Sequence, residues 1–403
     1  MSLIDQFYNK SQGILQLAMR INPPQRIPEV IEKLSQFVLG FHLSTNETNF
    51  FYQKKKVEPV TIPNFNELSD AAKYMYENHS PNFTKSLVTV GVNSDTVVLN
   101  SAHLCADGVY LINVTDAISH IDREIPPFPH LPSNITNNFW EQIHSKSTEQ
   151  CEYLFTDPEI CRVQTKQNIT QCNPLYAQHV KIRIPIQELK IYNKYTKQVK
   201  GLTEILWTSY ILAVSAINDR IDKTGIATCI DMRKFLSQNL RGWNVCNHYS
   251  NITPSFKGFN EKMTLKEVGE KMRNDFNLKI QKGHHFSFLN SLTPPENKVI
   301  PGIGLELSNI GRFKIAGIVD DVFMKSSVKD ANCDPLISHS SFSVDGNGKN
   351  VLNGMFRFKS SKIEEKTVNI VAKSVEFVLR NVPLETSVRK AMDMIQEYQK
   401  MLK

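Results

Sequence analysis

The stretch Val97-Val98-Leu99-Asn100-Ser101-Ala102-His103-Leu104-Cys105-Ala106-Asp107-Gly108, followed by an apolar run over 109–120, decides how the rest of the chain is read. Its first half alternates with period two, placing Val97, Leu99, Ser101 and His103 on one face of a strand and His103 at that strand's last position. Asp107 and Gly108 then make the turn. Asp107 is suited to cap the N-terminus of the following helix, and Gly108 to take a backbone conformation that a side chain would forbid. The pattern predicts a histidine held at a strand end beside a helix N-terminus.

The 403 residues allow two or three domains, and 41% hydrophobic with 22% charged residues is the balance of a globular chain with a real core. The net charge of +7 is spread along the chain apart from Lys54-Lys55-Lys56, read as a solvated loop, with phosphate binding as the lesser option. No basic run is interleaved with stacking aromatics, so nucleic acid is set aside as a partner. The seven cysteines (Cys105, Cys151, Cys161, Cys172, Cys229, Cys246, Cys333) are odd in number and lack a Cys-x-x-Cys pair, favouring reduced thiols in a cytoplasmic setting over disulfides or zinc. The N-terminal Met-Ser-Leu-Ile-Asp-Gln-Phe has neither the basic region nor the apolar run of a secretory signal. The longest apolar stretch, 205–217, carries Trp207, Thr208 and Ser209 and reads as a buried helix, not a membrane span.

In order along the chain, 14–22 reads as a strand, 28–40 as a helix, 41–52 as a returning strand, 68–78 as a helix and 86–92 as a strand that leads to the His103 strand. The proline-rich run from Ile125 opens a crossover lasting to about Pro174. A second α/β unit then begins: alternation over 177–184, a helix over 187–198, and an apolar helix capped by Thr203. The strand 225–230 enters Asp231-Met232-Arg233, and an amphipathic helix covers 265–280. The segment 304–313 reads as a strand running into a polar turn. Asp345-Gly346-Asn347-Gly348 joins strands 338–344 and 351–358 as a hairpin; its spacing does not suit an EF-hand calcium loop. Helices over 370–379 and on to Met401 close the chain. The reading is a mixed α/β protein with an N-terminal lobe at 1–175 and a C-terminal lobe of similar outline at 176–403.

His103-x-x-x-Asp107-Gly108 resembles the His-x-x-x-Asp-Gly motif of the chloramphenicol acetyltransferase-like superfamily, which includes plant BAHD acyltransferases, alcohol acetyltransferases, wax-ester synthases and peptide-synthetase condensation domains. Asp231-Met-Arg233 with Asn247-His-Tyr-Ser-Asn251 resembles the second signature, whose arginine pairs with the motif aspartate. Ser308-Asn309-Ile-Gly311 is similar to a segment of bacterial and fungal members, while the plant Asp-Phe-Gly-Trp-Gly is absent. Ala102 stands where condensation domains carry a second histidine, a departure that favours ester over peptide bond formation. The resemblance implies two acetyltransferase-like lobes around a central tunnel, with acyl-CoA as co-substrate and an alcohol or amine as acceptor. It implies His103 as general base, Asp107, Gly108 and Arg233 as structural support, and Ser308 or Asn309 as oxyanion or tunnel residues. No bound cofactor and no metal are expected, and a monomer is.

Each of these residues has a plainer reading. A lone histidine at a strand end is more often structural, and here it is the company of Asp107, Gly108 and Arg233 that raises it to a base. Cys105 invites a covalent acyl intermediate, but side chains two apart in a tight turn need not meet. His248, His284, His285 and His339 lack metal-ligand spacing and read as surface or packing residues. Two alternatives stand beside the acyl-CoA enzyme: a free-standing condensation-type domain fed by a carrier protein, and a non-catalytic member that kept the fold for binding or assembly.

Overall fold

The computed structural model describes residues 1–54, 56, 58–124, 131–145, 162–163, 178–220, 224–291, 304–328, 336–358 and 360–402. Residues 125–130 of the proline-rich connector, most of the crossover, and Cys151, Cys161, Cys172 and Cys333 lie outside them. The helices are α1 (Leu3–Ser11), α2 (Ile27–Phe37), α3 (Leu68–His79), α4 (Gly108–Ser119), α5 (Ile135–Asn138), α6 (Trp140–Ser145), α7 (Leu202–Asn218), α8 (Leu265–Gln281), α9 (His284–Ser291), α10 (Glu365–Asn381) and α11 (Val388–Met401). In the first half of the chain the strands are β1 (Ile14–Ile21), β2 (Leu43–Thr45), β3 (Phe50–Tyr52), β4 (Val60–Thr61), β5 (Val88–Val92) and β6 (Thr96–Ala102). The second half adds β7 (Gln178–Pro185), β8 (Tyr192–Asn193), β9 (Gln198–Val199), β10 (Thr224–Gly225), β11 (Ala227–Asp231), β12 (Tyr249–Ile252), β13 (Ser255–Phe256), β14 (Leu305–Lys314), β15 (Val319–Ser327), β16 (Ile337–Gly346) and β17 (Lys349–Phe358).

Two larger sheets carry the architecture, a mixed α/β arrangement as expected. One has the order β15-β1-β6-β5-β4 and the other β12-β11-β14-β16-β17-β7. Both are mixed: β4 runs parallel to β5, and β14 runs parallel to its neighbours β11 and β16, while the remaining pairs are antiparallel. β1, between β15 and β6 in the first sheet, is buried along its length apart from Arg20. Its outer neighbour β15 comes from the C-terminal half, pairing Ile14 with Ser327 through to Ile21 with Val319. The two halves therefore share a sheet. α3 packs on β1 and β6, while α7 is wedged among α8, α10 and α11. The apolar stretch 205–217 sits inside α7, and among the described residues no helix is long and apolar enough to cross a membrane.

Several expectations needed revision. The segment 187–198 is not a helix: a short turn at Ile186–Glu188 follows Pro185, and β8 and β9 form a hairpin. The Asn193 side chain accepts from the backbone amides of Tyr195 and Thr196 at 2.9 Å each, and Lys197 takes φ 53°, so local turn chemistry outweighs the helical spacing. The segment 41–52 is a turn followed by the β2–β3 hairpin, not one strand. Gly201, not Thr203, caps α7. The supposed polar turn after 304 is one continuous strand, β14, whose register against β16 slips between Asn309 and Gly311 as Gly311 takes φ 118°. The Asp345–Gly348 hairpin forms as read, with Asn347 and Gly348 both at positive φ (46° and 77°), the signature of a type I′ turn.

Candidate active site

β6 ends at Ala102, and His103 begins a single 3-10 turn, His103–Cys105, so it lies just past the strand and not on it. The His103 backbone amide donates to the Gly13 carbonyl at 2.8 Å, anchoring this corner to the start of β1. Tyr8 of α1 lies flat on the imidazole, with ring centroids 3.9 Å apart and planes 11° from parallel. A glycine permits this. A Cβ at Gly13 would stand 2.5 Å from Tyr8 Cδ1 and 3.2 Å from His103 Cβ, so any larger residue would displace the stack. Tyr249 of β12 lies to the side of the imidazole, its ring centroid 5.7 Å away and tilted by 39°, and the Tyr8 and Tyr249 hydroxyls hydrogen-bond to each other. Burial lowers the His103 pKa to about 4, offset only in part by the backbone at His103 and Ala106 and by the Asp107 charge. The imidazole is therefore neutral near neutral pH. Nδ1 is sealed from solvent with no well-formed hydrogen bond among the described residues.

Asp107 caps α4 as expected: its Oδ1 accepts from the Tyr110 amide at 2.9 Å. Its Oδ2 accepts from Arg233 Nη1 and from the His248 amide, both at 2.8 Å. Arg233 in turn donates to the carbonyls of Val245 and Cys246 and to Asp231. Both partners are nearly inaccessible, Asp107 at 4% and Arg233 at 9% exposure. Burial alone would weaken the guanidinium's hold on its proton, but the Asp107 charge and hydrogen bond more than offset it, and the net shift is upward. This pair clamps the helix after His103 to the loop 245–248 of the second half. Gly108 is needed for a different reason from the one expected. Its φ is not left-handed; instead the side chain of Ile310 on β14 fills the space, 2.7 Å from where a Cβ would be.

Ser308 and Asn309 each have a hydrogen-bond partner of their own. Ser308 hydrogen-bonds the Cys229 thiol. Asn309 donates to Thr203 Oγ1 at 2.9 Å and accepts from Ser341 at 3.4 Å, tying β14 to α7. Cys105 points away from His103, into β6 and toward Gly40: its thiol approaches Ser101 Oγ at 3.5 Å, and burial pushes its pKa up to about 12. The described cysteines, Cys105, Cys229 and Cys246, are free. His248, His285 and His339 are buried packing residues, His339 stacked on Phe356 at 4.4 Å, and His284 is partly exposed. Among the described residues no group of three or more His, Cys, Asp or Glu is placed to hold a metal.

Sequence reasoning missed a second set of residues. Glu306, Ser338 and Arg357 stand in one register row across β14, β16 and β17. Ser338 donates to Glu306 at 2.8 Å, and the charges of Glu306 and Arg357 are felt at Tyr8 and Cys229, that of Arg357 also at His103. A charged residue between Phe356 and Phe358 in an apolar strand was the available signal for Arg357. Tyr249 lay inside a stretch singled out for its asparagines, of which Asn251 is structural, accepting from the Thr228 amide at 2.9 Å.

No protein-family model and no curated protein matches the chain. Solved structures do match in shape. Polyketide synthase associated protein 5 from Mycobacterium tuberculosis superposes with a TM-score of 0.66 at 12% identity, over 95% of this chain and 97% of that one. Trichothecene 15-O-acetyltransferase from Fusarium sporotrichioides gives 0.64 at 11% identity, over 93% of each chain. A starter condensation domain of the rhizomide synthetase, in complex with C8-CoA and Leu-SNAC, gives 0.66 at 10% identity over 96% of this chain and 95% of that one. The chain has the chloramphenicol acetyltransferase-like fold. Within that fold, the residues picked out by the motif are joined to each other through Asp107 and Arg233, across 126 positions of sequence.

Proposed function

We propose that this protein moves an acyl group from a thioester, with acyl-CoA as donor, directly to the hydroxyl of a small-molecule alcohol, an amine being the second choice of acceptor. The observation that carries the reading is the state of His103: a neutral imidazole, fixed by Tyr8 on one face, with Nδ1 sealed inside. Its Nε2 takes the acceptor's proton as the oxygen attacks the thioester carbonyl. The tetrahedral intermediate then collapses, and the imidazolium returns the proton to the departing thiolate. General-base help of this kind is worth roughly 10²–10⁴ in rate. Asp107, Gly108 and Arg233 build the corner and take no part in proton transfer. In this reading the lobes 1–175 and 176–403 enclose a tunnel with His103 near its middle, donor and acceptor arrive from opposite ends, and the protein works as a cytoplasmic monomer.

A carrier-protein thioester as donor is the second reading. It is favoured by the condensation-domain likeness, one example of which was solved with both C8-CoA and Leu-SNAC. The test is release of free thiol from a series of acyl-CoAs with pooled small alcohols and amines, wild type against His103→Ala. Acceptor-dependent release that disappears in the variant supports the acyl-CoA reading. Release only from acylated carrier protein transfers the support to the second. A fully active His103→Ala overturns both.

A further inference from the structure

An acyl transfer of this kind needs a hydrogen-bond donor for the oxygen that becomes negative, and the two side chains expected to supply it already hold other partners: Ser308 the Cys229 thiol, and Asn309, through one of its two N–H groups, Thr203. The aromatic pair around His103 offers a donor instead. Tyr8 and Tyr249 bring two hydroxyls together from opposite halves of the chain, 241 positions apart in sequence. Two hydroxyls bonded to one another use one of their two protons, and among the described residues neither oxygen has another hydrogen-bond partner. One O–H is therefore left to donate outward, beside the imidazole that Tyr8 covers and Tyr249 flanks.

We infer that the Tyr8–Tyr249 phenol pair is the oxyanion donor of this enzyme. The inference rests on the acyl-transfer reading and deepens it. As the acceptor oxygen forms its bond to the thioester carbon and its proton passes to His103 Nε2, the carbonyl electron pair moves onto oxygen. The spare phenol proton shortens its hydrogen bond to that oxygen without being transferred. Collapse restores the carbonyl, breaks the carbon–sulfur bond, and sends the His103 proton to sulfur. Both phenols suit the task because burial holds their pKa values well above that of free tyrosine, so they remain neutral donors throughout the working pH range. Hydrogen bonding between the two hydroxyls polarises the outward proton further. Tyr8 has a second duty, since its ring fixes the plane of the imidazole, and the two duties are separable: phenylalanine keeps the ring and loses the hydroxyl.

The experiment compares wild type with Tyr8→Phe, Tyr249→Phe and the double variant, reading kcat and KM separately over a pH range. Loss of an oxyanion donor costs ~10²–10³ in kcat, which is the fall expected for the double variant, with KM for acyl-CoA and the apparent pKa of the base unchanged. The second measurement is calorimetric binding of a phosphonate analogue of acetyl-CoA, whose anionic tetrahedral phosphorus replaces the thioester carbon, against binding of CoA itself. The phosphonate should lose affinity in the double variant while CoA does not. Full kcat and unchanged phosphonate affinity in a double variant, with the wild type turning over, overturn the inference and leave the acyltransferase intact. A shifted base pKa with unchanged phosphonate affinity also overturns it, reducing the pair to positioning of His103. A wild type that neither releases thiol nor binds CoA overturns the parent reading and this inference together.

Discussion

Asp107→Ala separates scaffold from catalysis most sharply. The substitution deletes three hydrogen bonds at once: the cap to Tyr110 at 2.9 Å, and the bonds from Arg233 and from the His248 amide, both at 2.8 Å. Loss of the cap costs ~1 kcal/mol. Stranding a buried arginine typically costs ~3–5 kcal/mol. Arg233 keeps Asp231 and two backbone carbonyls, so the lower end applies. These two losses alone come to ~4 kcal/mol, before the stranded His248 amide is counted, a large part of the ~5–15 kcal/mol by which a domain is stable. Urea unfolding followed by tryptophan fluorescence reads it well, because Trp243 packs on Tyr110 at 5.8 Å, beside the lost cap. Removing both charges in Asp107→Ala/Arg233→Met should cost less than the sum of the single changes, since neither buried member of the pair is then left without the other. His103→Ala, by contrast, should unfold close to the wild type. If Asp107→Ala unfolds within ~1 kcal/mol of wild type yet has lost all turnover, the scaffold assignment is wrong and Asp107 acts in the chemistry.

Two further predictions concern protons and thiols. With the His103 pKa lowered to about 4 by burial, the base is already neutral at pH 5, so kcat/KM should be flat from about pH 5 to 8 and fall only below that; a profile breaking at the ~6.5 of free histidine would contradict the site as described. His248 and His339, lowered by burial to about 4 and about 3, act on stability with the sign of a depressed group: their contribution is complete above ~6.5, where the unfolded chain is also neutral, and is lost as pH falls toward 4 and 3. Denaturant midpoints across that range check this, and brief assays keep it apart from the rate profile. Cys105→Ala should retain turnover, and the native Cys105 thiol, held at about 12, should resist alkylation at neutral pH; acyl transfer that vanishes in the variant would restore the covalent route.

Local order carried most of what could be read from the sequence. The corner at His103, Asp107 and Gly108 was legible because its parts lie within six residues and obey strand, turn and cap chemistry that acts over such distances. The pairing of Asp107 with Arg233 was legible only through a resemblance, because nothing in either neighbourhood encodes the other. Gly108 shows how a correct residue can carry the wrong reason: the constraint came from Ile310, two hundred positions away, and not from the local φ. Tyr8 left no trace at all. Its importance comes from three-dimensional closure, which brings α1 of one half onto β12 of the other, and a tyrosine in an amphipathic first helix looks like any other. The 187–198 error has the opposite cause, a helical spacing overruled by one asparagine whose side chain captured two backbone amides.

The placement of β15 beside β1 has a consequence for how the molecule comes into being. β1 leaves the ribosome well before its outer partner, Val319–Ser327, which is made some three hundred residues later. Until then Ile14–Ile21, almost wholly apolar in its final surroundings, has one unsatisfied edge of amide and carbonyl groups. The first sheet thus cannot be finished during synthesis of the first half, and its closure is a late, long-range event of the slow kind that high contact order brings. In the nascent chain that edge is the point where a chaperone has most to protect and where two unfinished copies would most readily pair.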